Sequence, residues 1–399
     1  MSTKINILYI SRTSKITGPE NVLLDIIKRI DKNSFYPMVV LPDNKGLFYK
    51  KLNENNITAL VVRMPFLRVT YNPFLLVWFL LNVVFINLRF CFVLKEKKVD
   101  IVVCNTIQEA LYISLPAKIL KKKSIICIKN ILDKNWKKYI RAKFCKIFAD
   151  KIIAVSRKAA EDYTSLNFKN DPRKNKIIVI NDGIECSEYI KDFKEVNVLD
   201  KYLNREINEF IILNIGNLTE LKGQMLLLEA VSILNSSNID LKVFMAGDIY
   251  HQSEMAYKNR LIDYIACNNL NEKVVMLGYQ EDIRSLISEA DILVHCPIKE
   301  DAFPRVILEA FCFGKIVLAT KIGGIPEMIT DNYNGFLCET SGRDLAEKIL
   351  YIYDNRDKFE YIKKNAAKAV KKDFNLRNNV LEIEKIYKEL FSGSNKPFG

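Results

Sequence analysis

Histidine is scarce in this chain, and its scarcity argues against most kinds of metal site. The 399 residues contain two histidines, His251 and His295. Neither has a second histidine or a cysteine at helical or strand spacing, as is typical of structural zinc sites. His295 ends an apolar run, which is typical of a packed residue at the end of a strand. We therefore expect no metal site.

Two phosphate-binding signatures are also absent. The chain has neither a P-loop nor a G-x-G-x-x-G segment. Kinases and dehydrogenases depend on such loops to hold the phosphates of their ligands. The sequence therefore argues against both functions.

The nine cysteines are scattered and form no C-x-x-C pair. Cys104, Cys127 and Cys296 lie in apolar runs, which favours reduced, buried thiols and a cytoplasmic protein. A signal peptide is not expected, because residues 4–10 have the pattern of a first buried strand.

Short apolar runs alternate with helical stretches along the whole chain. This pattern predicts an α/β protein with βαβ units and parallel sheets covered by helices on both faces. A single core rarely extends beyond about 250–300 residues, so we expect two domains. The predicted strands are 4–10, 36–41, 57–63, 99–104, 124–129, 151–155 and 176–181, then 210–216, 241–247, 273–277, 291–295, 316–320 and 335–338.

The domain boundaries follow from a polar stretch that lacks strands. We predict a first domain over 1–185, a linker over 186–209, a second domain over 210–373 and a tail over 391–399. The helical run 374–390 could return to pack on the first domain. Two doubly wound domains of this kind are expected to face each other across a ligand cleft, lined by loops that follow the strands.

The net charge of +13 is unevenly distributed. Residues 1–182 carry +19 and the remainder carries −6. This asymmetry indicates that the first half of the chain binds an anionic partner. A nucleic-acid-binding protein would explain the basic half but not the acidic one, and no recognition motif supports it. We therefore expect no nucleic-acid partner.

Two helical segments of the basic half are candidates for membrane contact. Residues 73–94 are apolar almost all round, so this helix is either buried or in lipid. Asn82, Asn87 and Arg89 argue against a helix that spans the bilayer.

Residues 134–148 have the pattern of an interfacial helix, with covering of the first sheet as the alternative. We predict peripheral association of the first domain with the anionic cytoplasmic face of the plasma membrane. Apolar and basic side chains lie largely on different faces: Trp136, Tyr139, Ile140, Phe144 and Ile147 against Lys137, Lys138, Arg141 and Lys146.

The stretch 301–327, DAFPRVILEAFCFGKIVLATKIGGIPE, has the layout of a sugar and phosphate site. Asp301 and Glu309 are eight positions apart around a turn, and Pro304 suits the first turn of a helix. Carboxylates accept hydrogen bonds from paired hydroxyls, and a helix N-terminus offers N–H groups to an anion. Glu309 lies in an apolar run and needs a partner. Ribose hydroxyls would serve, and a surface ion pair with Arg305 is the alternative.

Two glycine-containing segments complete the candidate site. Gly216 ends a predicted strand and Lys222 precedes the next helix, where its ammonium group could neutralise a diphosphate leaving group. A solvated lysine is the alternative. Gly18 follows the first strand and would allow close approach of a phosphate or sugar, unless it only forms an ordinary turn.

Together these residues resemble the retaining nucleotide-sugar glycosyltransferases of family 4. The resemblance runs over nearly the whole chain and implies the GT-B fold, with two Rossmann-like domains. The matching motifs are Gly18-Pro19-Glu20, Ser156, Asn181-Asp182-Gly183-Ile184, Gly216-Asn217-Leu218 with Lys222-Gly223, Asp301 to Glu309, and Gly323-Gly324 with Glu327.

The resemblance also implies roles for single residues. Lys222 would stabilise the donor diphosphate, and Glu309 would hold the nucleotide ribose. Asp301 would hold the donor sugar. The donor, a UDP- or GDP-sugar, would be a substrate, and no cofactor or metal is implied. The implied donor-binding residues are Gly18, Gly216, Asn217, Gly278, Tyr279, Glu300, Phe303, Pro304 and Arg305.

This chain departs from the family pattern at three positions. Glu300 stands beside Asp301 and could be the first acid, and Asn217 replaces a phosphate-binding arginine. Lys129 or Asn130 stands where a first-domain histidine is common. Without that base, retention with the leaving phosphate accepting the acceptor proton is easier to explain. The expected acceptor and membrane side comprises Lys129, Asn130, Trp136, Lys137, Lys138 and Arg141.

The expected function is transfer of a hexose-type sugar to a glycan or lipid-linked glycan, in cell-surface polysaccharide or glycolipid biosynthesis. A sugar-nucleotide epimerase on the same fold is the alternative enzyme. It would need neither an acceptor nor a membrane.

Overall fold

A computed structural model of the chain shows two compact units. One consists of Met1–Asp182 together with Leu376–Gly399, and the other of Gly183–Asn375. The structure describes residues 4–64, 73–131, 136–164, 176–194, 196–203, 209–235, 237 and 239–392.

The first unit is built on a seven-stranded sheet of order β3-β2-β1-β4-β5-β6-β7. Every adjacent pair of strands is parallel. Central strands such as β1 and β4 are buried along nearly their whole length, as expected when helices cover both faces of a parallel sheet. The strands are β1 (Ile5–Ile10), β2 (Phe35–Leu41), β3 (Thr58–Val61), β4 (Ile101–Cys104), β5 (Lys123–Ile128), β6 (Lys151–Ala154) and β7 (Ile177–Val179).

The helices of the first unit connect these strands in sequence, which gives the crossover topology of a doubly wound domain. They are α1 (Gly18–Arg29), α2 (Leu47–Glu54), α3 (Pro73–Glu96), α4 (Ile107–Ile119), α5 (Trp136–Phe148) and α6 (Arg157–Thr164).

The C-terminal helix, α14 (Leu376–Ser392), belongs to the first unit. The Tyr387 hydroxyl lies 3.1 Å from that of Tyr9, and its ring packs edge-on against Phe35 at 5.8 Å. The Glu384 carboxylate accepts a hydrogen bond from the backbone N–H of Asp31 at 2.7 Å. These contacts bury the apolar face of the helix in the first core.

The second unit has a six-stranded sheet of order β10-β9-β8-β11-β12-β13, again with every adjacent pair parallel. Its strands are β8 (Phe210–Ile215), β9 (Leu241–Ala246), β10 (Val274–Gly278), β11 (Ile292–His295), β12 (Ile316–Thr320) and β13 (Phe336–Cys338). Its helices are α7 (Cys186–Tyr189), α8 (Gln224–Leu234), α9 (Met255–Cys267), α10 (Arg284–Glu289), α11 (Arg305–Cys312), α12 (Gly342–Asp354) and α13 (Glu360–Lys372).

Strand order reverses once in each sheet, between β1 and β4 and between β8 and β11. In open α/β sheets, ligands bind outside the carboxyl ends of the strands at such a reversal. Ser11 and Asn105 follow the reversal strands of the first unit. Gly216 and Cys296 follow those of the second.

The predicted α/β class and its parallel sheets are confirmed. All thirteen predicted strands are present, with each end within two residues of its expected position. Residues 186–209, predicted as a linker, contain α7 and a 3₁₀ turn at Asp200–Tyr202 and lie in the second unit. Residues 195 and 204–208 of that stretch, and residues 393–399 of the predicted tail, lie outside the described residues.

The prediction that the cysteines are reduced is wrong for two of them. Cys186 of α7 and Cys312 of α11 form a disulfide with a Cα–Cα distance of 5.2 Å. The two residues are 126 positions apart in the sequence, so their spacing carried no sign of the pairing. The seven other cysteines are free thiols, four of them buried.

Helix α3 is divided between a buried and an exposed face. Ile86, Phe90 and Leu94 are buried, whereas the opposite face leaves large apolar side chains open to solvent. The described stretches contain no helix that combines the length and hydropathy of a bilayer span. The exposed side chains of α3 are Trp78, Leu81, Val84, Phe85, Leu88 and Phe92, each 59–67% exposed.

Candidate functional site

Three glycines line up at the carboxyl ends of β8, β9 and β10. The backbone N–H of Gly247 donates to the carbonyl of Gly278 at 2.8 Å. A Cβ atom on Gly247 would lie 2.0 Å from the carbonyl oxygen of Gly216. The backbones approach so closely that any side chain at position 247 would collide with the carbonyl group of Gly216. Glycine is therefore required at this position.

Lys222 is positioned by a sharp turn between β8 and α8. The turn Glu220–Lys222 is a short 3₁₀ helix that ends at Gly223, whose φ is +68°. A Cβ on Gly223 would lie 1.9 Å from the carbonyl oxygen of Cys296, just after β11. Glycine is therefore needed at this position both for its φ and for the close packing.

Lys222 and Asp301 form the central contact of the site. The Lys222 ammonium Nζ lies 2.6 Å from Asp301 Oδ2. The same carboxylate oxygen lies 3.3 Å from Nε2 of His295, the last residue of β11. The Lys222 and Asp301 side chains remain 33% and 21% exposed, so a ligand can reach the pair. His295 is buried beneath it.

The charges of this cluster follow from its surroundings. Burial alone would raise the pKa of Asp301, but the Lys222 ammonium and the hydrogen bond with His295 hold it well below its usual range. Burial lowers the pKa of His295, and Asp301 opposes that effect only in part. At neutral pH the imidazole is therefore neutral, and its Nε2–H donates to the ionised carboxylate.

The Gly-Gly turn after β12 supports the backbone of Asp301. The N–H of Gly324 donates to the Asp301 carbonyl at 2.8 Å. Gly323 has a φ of +60°, and a Cβ there would lie 2.1 Å from the same carbonyl oxygen. Asp301 and the Gly323-Gly324 turn, which lie at the two ends of this stretch, are thus in direct contact.

Helix α11 carries the second polar pair. Pro304 precedes the first helical residue, Arg305. Arg305 Nε donates to Glu309 Oε1 at 3.0 Å, and the two side chains are only 13% and 12% exposed. An ion pair on the surface was the alternative expected from the sequence, but these two side chains are largely buried. A partly buried carboxylate close to a helix N-terminus suits recognition of paired hydroxyls beside a phosphate.

The other predicted donor-binding residues of the second unit follow the carboxyl ends of β8, β10 and β11. Asn217 is exposed and its carbonyl accepts from Gln224. Tyr279, after the positive-φ Gly278, is 68% exposed. Phe303 is buried against Phe374 at a ring distance of 5.6 Å, and Glu300 is exposed. Their assignment to donor binding stays a prediction.

The predicted site residues of the first unit lie on several separate elements of the fold. Gly18 begins α1 and is exposed. The Lys129 ammonium lies 4.0 Å from Asp182 Oδ1, and Asn130 is exposed. Arg141 lies on α5 and is partly exposed. The side chains of Trp136, Lys137 and Lys138 lie outside the described residues.

Some polar contacts near the strand ends were not predicted. His295 was expected only to pack, yet it also contacts Asp301. The sequence contained one sign of this contact, because His295 ends a predicted strand six residues before Asp301. In the first unit, Glu20 is buried and accepts from Ser11 Oγ at 3.0 Å and from Asn105 Nδ2 at 3.4 Å. Glu109 caps α4, and burial raises its pKa. Within the described residues, no cluster of three or more His, Cys, Asp or Glu side chains could hold a metal ion.

The contact with Lys222 makes Asp301 the stronger candidate for the first motif acid. We expect Asp301→Asn to lower kcat/KM about tenfold or more, because charge-assisted hydrogen bonds contribute more than neutral ones. Glu300→Gln should stay close to the wild type. Steady-state kinetics of both variants compares the two acids. A larger loss in Glu300→Gln would transfer the role to Glu300.

Two family models match the chain in succession. The Glycosyltransferase Family 4 model matches residues 16–188. The model for glycosyl transferases group 1 matches residues 198–369. Together they cover most of both units.

Curated relatives match over part of their length. An uncharacterised glycosyltransferase of Methanocaldococcus jannaschii is 28% identical over 251 residues, which are 62% of this chain and 62% of that protein. The UDP-Gal:alpha-D-GlcNAc-diphosphoundecaprenol alpha-1,3-galactosyltransferase of Escherichia coli is 24% identical over 219 residues, 54% of each chain. The chain therefore spans between half and two thirds of these relatives.

Solved structures match over nearly the whole chain. A glycosyltransferase from Rickettsia africae has a TM-score of 0.79 at 26% identity, covering 97% of this chain and 99% of that one. Anabaena HepE, solved in complex with UDP and glucose, has a TM-score of 0.79 at 21% identity, covering 96% and 99%. At that identity the second match shows the fold alone.

Proposed function

Because the chain belongs to the family 4 glycosyltransferases of GT-B fold, we propose that it transfers a sugar from a nucleotide-diphosphate sugar to a glycan or lipid-linked glycan. The observation that carries this proposal is the 2.6 Å contact between Lys222 and Asp301 beside the reversal of strand order in the second sheet. This contact lies where α/β sheets bind ligands, which supports a role for its cation in binding phosphate and for its carboxylate in binding sugar.

Donor binding would use both polar pairs of the second unit. The Lys222 ammonium would move from Asp301 to the diphosphate, and Asp301 would then accept hydrogen bonds from sugar hydroxyls. Glu309 would accept from the ribose hydroxyls, with Arg305 holding its carboxylate in place. The backbone N–H groups of Phe303 and Arg305 would bind the distal phosphate, because a helix N-terminus favours anions.

The proposed reaction retains the anomeric configuration. The bond between the anomeric carbon and the leaving phosphate oxygen breaks, and the acceptor oxygen attacks from the same face. A phosphate oxygen takes the acceptor hydroxyl proton, so no protein base is needed at that step. Lys222 would stabilise the negative charge that develops on the diphosphate, a role that metal ions fill in other transferases. NMR of the product tests this stereochemistry, and an inverted anomeric centre would contradict it.

The choice of donor is open between UDP- and GDP-sugars. The Escherichia coli relative is named for a UDP-galactose donor, and Anabaena HepE was solved with UDP. Both favour a UDP-sugar. Thermal-shift measurements with UDP, GDP, ADP and CMP sugars test the proposal, because a bound ligand raises apparent stability by mass action. No stabilisation by any of them would count against a nucleotide-sugar enzyme.

Analysis of the reaction products, with and without an acceptor, separates transfer from epimerisation. A sugar transferase releases the nucleoside diphosphate and needs an acceptor. An epimerase that works on the donor alone would change the sugar without any acceptor. We expect sugar transfer only in the presence of a glycan or lipid-linked glycan.

We also propose that the first unit docks on an anionic membrane surface through its exposed apolar face. Helix α3 packs against α4, and α4 packs against α5. Each contributes exposed apolar side chains, and exposed cations stand among them. We propose that these side chains form one apolar surface, because large exposed apolar patches mark interaction sites. The apolar members on α4 and α5 are Leu111, Leu115, Ile119, Tyr139, Ile140 and Ile147, and the exposed cations are Arg89, Lys95, Lys118 and Lys143.

The double substitution Phe85→Ser with Leu88→Ser should weaken membrane binding at least tenfold, because each side chain loses about 1.5–3 kcal/mol of apolar burial. The measurement is co-flotation with vesicles that contain phosphatidylglycerol. Ile262→Ser, on an exposed position of α9 in the second unit, is the matched control and should float like the wild type. A wild-type protein that fails to float at low salt would contradict the docking proposal.

A further inference from the structure

The disulfide attaches a separate segment to the helix that carries the donor residues. Cys312 is the last residue of α11, three positions after Glu309, and Cys186 begins α7. The bond therefore fastens α7 to the helix that presents Arg305 and Glu309. Both cysteines are only partly buried, so a small thiol reductant can reach them.

Ring contacts hold the same segment against the end of α11. Tyr189 and Phe193 pack edge-on against Phe313, with ring centroids 6.1 Å and 5.1 Å away. From the other side, the Arg284 guanidinium donates to the carbonyls of Tyr189 and Lys191 at 3.3 Å and 3.5 Å. The segment 186–193, which we call the clasp, is thus held by α10 and α11 together.

The clasp also brings the half-buried phenol of Tyr189 close to the polar pair of α11. Burial raises the pKa of Tyr189 most strongly, and the negative charge of Glu309 raises it further. The positive charge of Arg305 opposes both effects. Tyr189 therefore stays neutral and lies within electrostatic reach of both side chains.

We propose that the clasp positions Glu309 for nucleotide binding, so that reduction of the Cys186–Cys312 bond weakens the affinity for nucleotide. This inference rests on the proposed role of Glu309 in donor binding. A dithiol supplies two electrons and two protons, the S–S bond breaks, and the dithiol is oxidised to its own disulfide. Freed from its covalent attachment, the clasp is held against the end of α11 by its ring contacts with Phe313, while its hydrogen bonds go to Arg284 of α10. Disulfides that are exposed to thiols are more often labile, with a regulatory or catalytic role, than purely structural.

The test titrates the full-length protein with UDP and, in parallel, with GDP, before and after reduction with dithiothreitol. We expect reduction to raise the Kd about fivefold or more, in the range typical of coupled sites. The double variant Cys186→Ser with Cys312→Ser should start from the weaker affinity and show no response to reductant. Cys267→Ser, which removes an exposed free thiol on α9, should respond like the wild type.

Further variants separate positioning from simple stabilisation. Tyr189→Phe keeps the ring that packs on Phe313 and should keep the affinity, whereas Tyr189→Ala should lose it. If reduction lowers the Tm but leaves the Kd unchanged at 20–25 °C, the bond only stabilises the fold and the inference is wrong. Should the double variant not fold, the reduced wild-type protein still gives this readout.

Glu309→Gln distinguishes failure of this inference from failure of the proposed function. If the oxidised variant binds nucleotide like the wild type, Glu309 has no role in donor binding. If it binds weakly while reduction leaves the wild type unaffected, Glu309 holds its role and the clasp does not position it. If the clasp acts by positioning Glu309, reduction of the disulfide in the Glu309→Gln variant should weaken nucleotide binding only slightly beyond the effect of the substitution.

Discussion

Replacing Lys222 with alanine should lower kcat by about 100-fold or more, with a smaller effect on the KM of the acceptor. The ammonium is the group we expect to meet the negative charge that grows on the diphosphate as the glycosidic bond breaks. Removing one such stabilising donor from an enzyme typically lowers kcat by about 10²–10³-fold. Asn217 stands where the resemblance implies a phosphate-binding arginine, so we expect Lys222 to carry more of the charge. Steady-state kinetics with saturating donor measures the effect.

A matched control for this experiment lies on the opposite side of the second unit. Lys363 forms an exposed ion pair with Glu360 at 3.6 Å on α13. Lys363→Ala should leave kcat within about twofold, because exposed ion pairs contribute little. An effect of Lys222→Ala confined to the KM of the acceptor would contradict its role at the diphosphate.

Glu309→Gln should weaken nucleotide binding and lower kcat/KM by about 10- to 100-fold. The amide keeps the size of the side chain but removes the charge that strengthens hydrogen bonds from the ribose hydroxyls. It also ends the charge attraction with Arg305, whose guanidinium is largely buried beside it. Titration with UDP and GDP gives the loss in affinity, and kinetics gives the loss in turnover.

The same fold offers a control with the same geometry. Arg343 and Glu347 form an i,i+4 pair on α12, but their side chains are 85% and 68% exposed. Glu347→Gln should therefore leave both affinity and turnover unchanged. Wild-type kinetics in Glu309→Gln would remove this residue from the site.

The order of strands and helices was predictable because it depends on local pattern. Runs such as 36–41 and 316–320 are apolar and β-branched, and each is bounded by polar or turn residues. A strand buried on both faces needs such a run, whatever its partners are. The motif from Asp301 to Glu309 was likewise visible in the sequence, because it consists of a turn and one short helix.

The details of the site depend on contacts between distant residues, which local pattern does not record. Lys222 and Asp301 are 79 positions apart, and they meet because β8 and β11 are neighbours in the sheet. The same reasoning applies to His295, whose neutral state follows from burial rather than from its neighbours in the sequence.

By itself, the sequence determined that this is a two-domain α/β protein with a carboxylate-rich motif in the second domain, because strand periodicity and turn residues act over short distances. Only the tertiary structure decided that Cys186 pairs with Cys312, that Asp301 contacts Lys222, and that α3 exposes one apolar face. Each of these depends on which elements pack side by side, and packing joins residues that the chain keeps far apart.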